Sequence, residues 1–379
     1  GPRAGDQGGQ IVFQGMYDAI ITNGTCTLTA QYLQGEKSIA LPGHRRPGNG
    51  KYLKIIGAKE NNLKKINVEI PLGLLVIVTG VSGSGKSTLV HDVLYASIGK
   101  RLGFWKKRAG KHDRIEGLDH IDGLVLVDQS PIGRTPRSNP VTYTKAFDEI
   151  RLLFARTRRA RVKGFVPGTF SFNTPGGRCE KCEGAGVEKV EMQFLADLYL
   201  ECDLCGGKRY KKEVLDIHYK GKNIYDVLNM TVSEAMKFFS NAPKVVAKLK
   251  ILNNVGLGYL RLGQPATTLS GGEAQRVKLA AHLSQKEGKH QLYLFDEPTT
   301  GLHFDDISKL LKCFDQLIEA GNSVLVIEHN MDVIKCADYI IDLGPEGGEQ
   351  GGYVVTTGTP EEIVQCNKSY TAQYLKEYL

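Results

Sequence analysis

The sequence predicts an α/β fold built on a parallel sheet, and three observations support this prediction. The apolar run Leu74-Leu-Val-Ile-Val78 is followed by a glycine-rich loop and then by a helical pattern. A second apolar run, Gly123-Leu-Val-Leu-Val127, is also unbroken, as in strands of a parallel sheet that is covered on both faces. Two cysteine pairs between residues 179 and 205 predict a small metal-binding module in the same chain.

Composition narrows the class of protein. The chain has 379 residues and a formal net charge of +8, which mildly favours an acidic partner such as nucleic acid. The sequence shows no apolar run that would span a bilayer and no signal peptide, so we expect a cytoplasmic protein without a membrane partner. Four of the eight cysteines are clustered, which fits a reducing compartment and a metal site better than a disulfide framework.

The glycine-rich loop has the full spacing of a phosphate-binding loop. Its glycines let several backbone N–H groups face one anion, and the following helix adds its partial positive charge. Lys86 is predicted to reach the β- and γ-phosphates of ATP, and Ser87 to hold Mg²⁺. The residues predicted to bind ATP in this loop are Gly80, Ser82, Gly83, Ser84, Gly85, Lys86, Ser87 and Thr88.

The two ends of the chain repeat one another. Residues 1–15 align without gaps on residues 344–358, and Thr29-Ala-Gln-Tyr-Leu33 matches Thr371-Ala-Gln-Tyr-Leu375. Such a repeat indicates duplicated modules. The first copy would be the tail of a module whose phosphate-binding loop lies upstream, so we expect the chain to be the second half of a tandem protein. Chance similarity between two glycine-rich turns is the alternative.

The cysteine pairs follow the pattern of a structural zinc site. Cys179 and Cys182 are separated by nineteen residues from Cys202 and Cys205, and each pair has the C-x2-C spacing. Four thiolates on two turns form a closed tetrahedral site for Zn²⁺. A disulfide or redox pair is the alternative. The alternating side chains of residues 190–194 predict a β-hairpin between the two cysteine pairs. Phe194 and Leu195 at its tip are expected either to contact nucleic-acid bases or to pack against the protein.

Basic residues near this module are candidates for contacts with DNA phosphates. One group of these residues precedes the cysteines, and the other flanks them. The alternative is that the basic run is only the solvent-exposed face of a helix. The predicted DNA-binding residues are Arg156, Arg158, Arg159, Arg161, Lys163, Arg178, Lys208 and Arg209.

Further motifs toward the C-terminus complete a predicted ATPase site. Ser270 and Glu273 form a capping box at a helix start that also carries two glycines, within the segment Leu269, Ser270, Gly271, Gly272 and Glu273. Asp296 ends an apolar strand and is predicted to bind in the Mg²⁺ shell, and Glu297 to orient or deprotonate the attacking water. Another strand predicts that His329 lies near the γ-phosphate, and Gln129 follows the strand at 123–127.

Together these motifs resemble the ABC-type ATPases and, among them, the C-terminal half of the UvrA family of DNA-repair proteins. The most specific pieces are residues 127–140, the cysteine module with its hairpin, Gly207-Lys-Arg-Tyr210 and Asp296-Glu-Pro-Thr-Thr-Gly-Leu-His303. The resemblance implies an ABC-type ATP-binding lobe interrupted by a mainly helical signature lobe with an inserted zinc module. It places a chain tail and linker at 1–50, the ATP-binding lobe at 51–140 and 286–379, and the signature lobe at 141–285, with zinc module at about 165–215.

The resemblance also implies function and partners. ATP would lie between the phosphate-binding loop of one half and the signature segment of the other, and Gln129, Glu297 and His329 would act in hydrolysis. The family binds damaged double-stranded DNA as a homodimer in nucleotide excision repair and loads UvrB, whereas another subunit cuts the DNA. Recognition of damage and binding of UvrB are expected to need the other nucleotide-binding half. The alternatives are a UvrA-like paralogue with another DNA task and the ATPase motor of a transporter or drug-resistance system.

Overall fold

The chain divides into two compact units in a computed structural model. One unit comprises Phe13–Asp128 and Lys286–Leu379, and we call it the sheet unit; the other comprises Gly1–Val12 and Gln129–Gln285, and we call it the helical unit. The structure describes residues 1, 5, 8–22, 27–192, 197–283 and 289–379. The predicted hairpin tip residues Phe194 and Leu195 lie outside this part of the chain.

Strands are concentrated in the sheet unit. In the described residues they are β1 (Tyr52–Ala58), β2 (Ile66–Pro71), β3 (Leu75–Gly80), β4 (Arg114–Glu116), β5 (Gly123–Val127), β6 (Val187–Val190), β7 (Leu198–Glu201), β8 (Gln291–Asp296), β9 (Ser323–Ile327), β10 (Tyr339–Gly344) and β11 (Tyr353–Gly358).

Helices occur in both units. The described α-helices are α1 (Tyr17–Thr22), α2 (Leu28–Leu33), α3 (Ala96–Arg101), α4 (Pro140–Tyr143), α5 (Ala146–Ala155), α6 (Arg158–Val162), α7 (Lys212–Leu215), α8 (Ile224–Asn229), α9 (Val232–Phe238), α10 (Pro243–Asn254), α11 (Gly271–Leu283), α12 (Phe304–Glu319), α13 (Met331–Ile334), α14 (Pro360–Ile363) and α15 (Tyr370–Leu375). A π-helical segment, Thr88–Tyr95, leads directly into α3, and short 3₁₀ turns form at Leu118–His120, Pro167–Phe170, Ala266–Thr268 and Gly348–Gln350.

The central sheet of the sheet unit confirms the predicted parallel arrangement. Its described strands follow the order β11-β10-β3-β9-β8-β5, and every neighbouring pair is parallel except β10 and β11. Strands β3 and β9 are buried along their whole length, as expected for a sheet with both faces covered. Because β3, β8 and β9 are parallel neighbours, the loops after them meet at one edge of the sheet.

A smaller antiparallel sheet, in the order β2-β1-β4, belongs to the same unit. Its inward-facing side chains, among them Leu53, Ile55 and Val68, share one apolar core with the π-helical segment and with β3. This core fixes the start of the helix that follows the glycine-rich loop. Burial of apolar area of this kind is the main stabilising term in folding.

The helical unit contains α4 to α11 and, in its described residues, one two-stranded sheet. That sheet pairs β6 with β7 antiparallel, which confirms the predicted hairpin between the cysteine pairs. Strand β6 ends at Val190, earlier than the alternation of residues 190–194 suggested. The predicted domain limits at residues 50, 140 and 285 remain predictions, whereas the contact units divide the chain at 12, 128 and 285.

Candidate nucleotide site and metal centre

The loop between β3 and the π-helical segment carries the predicted ATP-binding residues. Lys86 is buried, and its Nζ donates hydrogen bonds to the carbonyl oxygens of Gly80 at 2.9 Å and Val81 at 2.7 Å. Burial lowers the pKa of Lys86, while the carboxylates of Glu297, Asp342 and Asp296 act in the opposite direction. In this structure the buried ammonium group bonds to carbonyl oxygens of its own loop, which places it at the loop that is predicted to bind phosphate.

A second glycine-rich loop, residues 345–352, packs against the phosphate-binding loop. The N–H groups of Gly348 and Gly352 donate to the carbonyl oxygens of Gly83 and Ser84, at 3.1 and 3.2 Å. A Cβ atom on Gly347 would come within 2.5 Å of the carbonyl oxygen of Ser82, so only glycine permits this approach. This loop is the C-terminal copy of the repeat found in the sequence. The repeat was the only sequence signal for it, and it gave no indication of what the loop contacts.

Asn62 links the two glycine-rich loops. Its Nδ2 donates to the carbonyl oxygens of Gly83 at 2.8 Å and Gly348 at 3.1 Å. No sequence motif marks Asn62, which lies in the turn between β1 and β2. Its two bonds fix one loop against the other.

Asp296, the last residue of β8, lies in the same unit as Lys86. The Oδ2 atom of Asp296 is 2.9 Å from Nε2 of His91, which belongs to the π-helical segment. This hydrogen bond raises the pKa of His91, against the effect of burial. Sequence reasoning missed His91, because a single histidine in a helix carries no pattern that distinguishes it from a surface residue.

Glu297 and His329 are neighbours, while their roles in hydrolysis stay predictions. The Nε2 atom of His329 lies 3.7 Å from Oε1 of Glu297. Glu297 has a φ of +42°, which is uncommon for a residue with a side chain, and its N–H donates to the carbonyl oxygen of Ile327 at 3.0 Å. Burial lowers the pKa of His329 and the charge of Lys86 lowers it further, so the neutral imidazole is favoured.

The predicted signature segment forms its capping box in the helical unit. The N–H of Ser270 donates to Glu273 Oε2 at 2.8 Å, and the N–H of Glu273 donates to Ser270 Oγ at 3.3 Å. Gly271 packs against Gln129, because a Cβ atom on Gly271 would lie 3.1 Å from the Gln129 side chain. The structure thus brings together two sequence-predicted elements, Gln129 and the signature segment, within one unit. The other predicted catalytic residues belong to the sheet unit.

The four cysteines of the predicted zinc site converge. Their Sγ atoms all lie within 4.8 Å of one another, with 4.0 Å between Cys179 and Cys202 and 3.7 Å between Cys182 and Cys205. Four thiolates bound at about 2.3 Å in a tetrahedron are about 3.8 Å apart, so these distances fit a tetrahedral metal. They are far longer than a disulfide bond of about 2.05 Å, which argues against the disulfide alternative. The N–H of Gly186 also donates to Cys182 Sγ at 3.3 Å.

The predicted DNA-binding residues differ in how accessible they are. The group that precedes the cysteines is exposed on and around α6 and comprises Arg156, Arg158, Arg159, Arg161 and Lys163. Lys208 is exposed as well, whereas Arg178 is half-buried and 3.7 Å from Glu183. Arg209 is half-buried against the ring of Phe172, at 5.2 Å, and burial lowers its pKa. The exposed group around α6 is therefore the better surface for phosphates.

Comparison with known proteins identifies the family. No family model matches the chain. The chain is 59% identical over 379 residues to UvrABC system protein A of Aquifex aeolicus and 56% identical over the same length to that of Clostridium perfringens. The crystal structure of UvrA2 from Deinococcus radiodurans matches all of this chain with a TM-score of 0.90 and 46% identity.

The chain belongs to the UvrA family. It spans 41% and 40% of the length of the two curated relatives and 46% of the UvrA2 chain, so it corresponds to part of a UvrA protein. The match in fold covers the mixed sheet described above, and the family assignment agrees with the resemblance that the motifs indicated. In the described part of this UvrA-family chain, no helix combines the length and apolar character that crossing a membrane requires.

Proposed function

We propose that the chain is an ATP-binding and ATP-hydrolysing part of the DNA-damage-recognition subunit of nucleotide excision repair, and that it acts in the cytoplasm. The observation that carries this proposal is the identity of 56–59% over all 379 residues to proteins named UvrABC system protein A. The geometry of the sheet unit supports it, because Lys86, Asp296, Glu297 and His329 occupy one end of one sheet. No comparable support exists for a transporter motor.

The residues fit ATP and Mg²⁺. Backbone N–H groups of the phosphate-binding loop and Lys86 would hold the phosphates, and Ser87 and Asp296 would hold the metal. Mg²⁺ would neutralise charge on the phosphates. Glu297 would accept the proton of the attacking water, and the neutral His329 beside it could donate a hydrogen bond toward the γ-phosphate. The signature segment, residues 269–273, would contact the ATP of another nucleotide-binding half.

The metal centre and the basic surface complete the proposal. Zn²⁺ at Cys179, Cys182, Cys202 and Cys205 would hold the hairpin β6–β7 and the loops that flank it. Damaged double-stranded DNA would be bound through the exposed residues around α6. UvrB, the other nucleotide-binding half and a second UvrA subunit are the proposed protein partners.

Binding of DNA across a salt series tests this function. The affinity of the chain for intact and lesion-bearing duplexes is measured with and without ATP. We expect log K to fall with log salt by about 0.9 for each phosphate neutralised. A slope near zero would contradict DNA binding by this chain. Preference for the lesion would assign recognition to this part of the protein, and equal binding would assign discrimination to the full dimer.

A pair of variants with the same change in charge locates the surface. Arg158→Glu/Arg161→Glu reverses two exposed charges on α6, and Lys244→Glu/Lys250→Glu reverses two exposed charges on α10 of the same unit. We expect the first double variant to lower the salt slope by about 2, since each lost phosphate contact removes about 1. The second should leave the slope unchanged. Equal effects would show that only the overall charge matters.

A further inference from the structure

Glu328 is a buried carboxylate at the end of β9 that receives four hydrogen bonds. It is 2% exposed. Its Oε1 accepts from the backbone N–H of Thr299 at 3.0 Å and from the Thr299 hydroxyl at 2.5 Å. Its Oε2 accepts from the backbone N–H groups of His329 at 2.7 Å and Asn330 at 3.0 Å. Hydrogen bonds to an ionised acceptor are shorter and stronger than neutral ones, so this carboxylate joins the two segments firmly.

The two segments that Glu328 joins carry the two proposed catalytic side chains. Thr299 is two residues beyond Glu297, and His329 is the residue next to Glu328. A further bond, from the Glu297 N–H to the carbonyl oxygen of Ile327 at 3.0 Å, holds the same pair of segments together. Because the two segments are held in this way, the backbone positions of Glu297 and His329 are fixed relative to each other, and their side chains lie 3.7 Å apart.

Glu328 also stabilises an unfavourable backbone conformation. Glu297 has a φ of +42°, and a residue with a side chain keeps such a conformation only when its surroundings hold it. The contacts of the turn after β8 include the two bonds from Thr299 to Glu328. Without them, the turn could relax toward a more common backbone conformation and move the Glu297 carboxylate.

We infer that Glu328 is a positioning residue, which holds Glu297 and His329 in the relative positions that hydrolysis requires. The inference rests on the proposed ATPase function and assigns Glu328 no contact with the nucleotide. A misplacement of about 1 Å at a reacting group costs about 100-fold in rate. Glu328 therefore acts on the rate of hydrolysis and leaves the affinity for ATP to the phosphate-binding loop.

Glu328→Gln tests this role, because glutamine keeps the shape of the side chain. Its amide NH₂ must face either the N–H groups of His329 and Asn330 or the N–H of Thr299, so at least one donor loses its acceptor. We expect kcat for ATP to fall by about 100-fold. KM and the affinity for ATP should stay within about twofold of the wild type, since the phosphate-binding loop is untouched.

The double variant Glu297→Gln/Glu328→Gln separates positioning from a general loss of structure. If Glu328 acts partly through Glu297, the two losses are not additive, and the added Glu328→Gln change slows the Glu297→Gln variant by clearly less than the roughly 100-fold that it costs in the wild type. Asp338→Asn is the matched control, because Asp338 is another buried carboxylate of the sheet unit and accepts from the Leu75 N–H at 2.9 Å. It should lower the melting temperature without changing the ratio of kcat to KM. A wild-type rate in Glu328→Gln, or equal losses of ATP affinity and kcat, would overturn the inference.

The imidazole NMR signals of His329 report positioning without turnover. They are assigned by their loss in His329→Gln, and we expect Glu328→Gln to shift them while Asp338→Asn does not. An unchanged His329 spectrum would contradict the inference. Failure of the wild-type chain to bind ATP would instead contradict the proposed function, so the two failures are distinguishable.

Discussion

His91 Nε2 and Asp296 Oδ2 lie 2.9 Å apart, so the helix that follows the phosphate-binding loop is tied directly to the end of β8. This bond raises the pKa of His91 above its usual value of 6.5. When folding raises the pKa of a base, its protonated form stabilises the fold. This stabilisation is complete at pH values below the pKa of the unfolded state, and it is lost as pH rises through the pKa of the folded state. The ion pair therefore stabilises the fold mainly under mildly acidic conditions.

His91→Ala should be most destabilising at low pH. Both side chains are partly exposed, at 25% and 35%, so we expect a loss of about 1 kcal/mol or less. Thermal melts from about pH 6 to about pH 8.5 measure the difference in melting temperature between the wild type and the variant. This difference should become smaller as pH rises. His218→Ala, at an exposed position of the helical unit, is the control. A difference in melting temperature that grows with pH would show that the ion pair between His91 and Asp296 does not form.

Glu297→Gln should bind ATP but hardly hydrolyse it. Removing a general base typically costs 100- to 10,000-fold, so we expect kcat to fall by at least about 100-fold with ATP affinity retained. Glu319→Gln, exposed at the end of α12, is the control for loss of one carboxylate. Turnover close to the wild-type rate would rule out Glu297 as the base.

The sequence predicted the parts of the fold and site that have a periodic or spaced pattern. Unbroken apolar runs predicted β3 and β5, and the glycine-rich loop, the capping box at Ser270 and the cysteine spacing each predicted a local geometry that the structure has. Asn62, His91 and Glu328 were missed for a physical reason. Each contacts at least one segment that is distant in the sequence, and a single polar residue shows no pattern until the fold brings that segment close.

Gly347→Ala should weaken nucleotide binding from outside the phosphate-binding loop. The added Cβ would lie 2.5 Å from the Ser82 carbonyl oxygen, and backbone must move to relieve the contact. Such overpacking costs about 1–3 kcal/mol, which corresponds to a loss of about 5- to 150-fold in ATP affinity if the phosphate-binding loop takes up the shift. Titration of a fluorescent ATP analogue measures it. Gly43→Ala is the control, since nothing lies within 4 Å of its Cβ position, and equal affinities would show that the 345–352 loop does not support the site.

Cys182→Ser should remove zinc and destabilise the helical unit. Structural zinc contributes apparent binding energies of about 10–16 kcal/mol in small domains, and one lost thiolate opens the tetrahedron. Metal analysis of the purified chain should give about one zinc per wild-type chain and much less for the variant. Cys366→Ser, outside the cluster, should keep its zinc. Unchanged metal content in Cys182→Ser would contradict the four-thiolate site.

Two adjacent arginines within residues 1–50, which the family resemblance predicted to be a chain tail and linker, should contribute differently to stability. Arg46 bonds through Nη1 to Asp338 at 2.9 Å, and that carboxylate is only 2% exposed. Arg45 bonds to Glu361 at 2.6 Å, but the Glu361 side chain is 55% exposed, and Arg45 Nη1 also donates to the carbonyl oxygen of Ala337 at 3.0 Å. Water can replace Arg45 at Glu361, whereas Asp338 would keep only its backbone donors, the N–H groups of Leu75 and Arg46.

Arg46→Ala should therefore cost about 2 kcal/mol in the free energy of unfolding, the typical penalty for a buried charged acceptor that loses a partner. Arg45→Ala should cost about 1 kcal/mol, because it loses an ion pair with an exposed carboxylate and one hydrogen bond to the Ala337 carbonyl oxygen. Urea unfolding of both variants measures the difference, and the Arg45 variant controls for loss of one positive charge in the same segment. Equal costs would mean that burial of Asp338 does not decide the strength of the contact. A larger cost for Arg46→Ala would show that this segment is a folded part of the sheet unit rather than a linker.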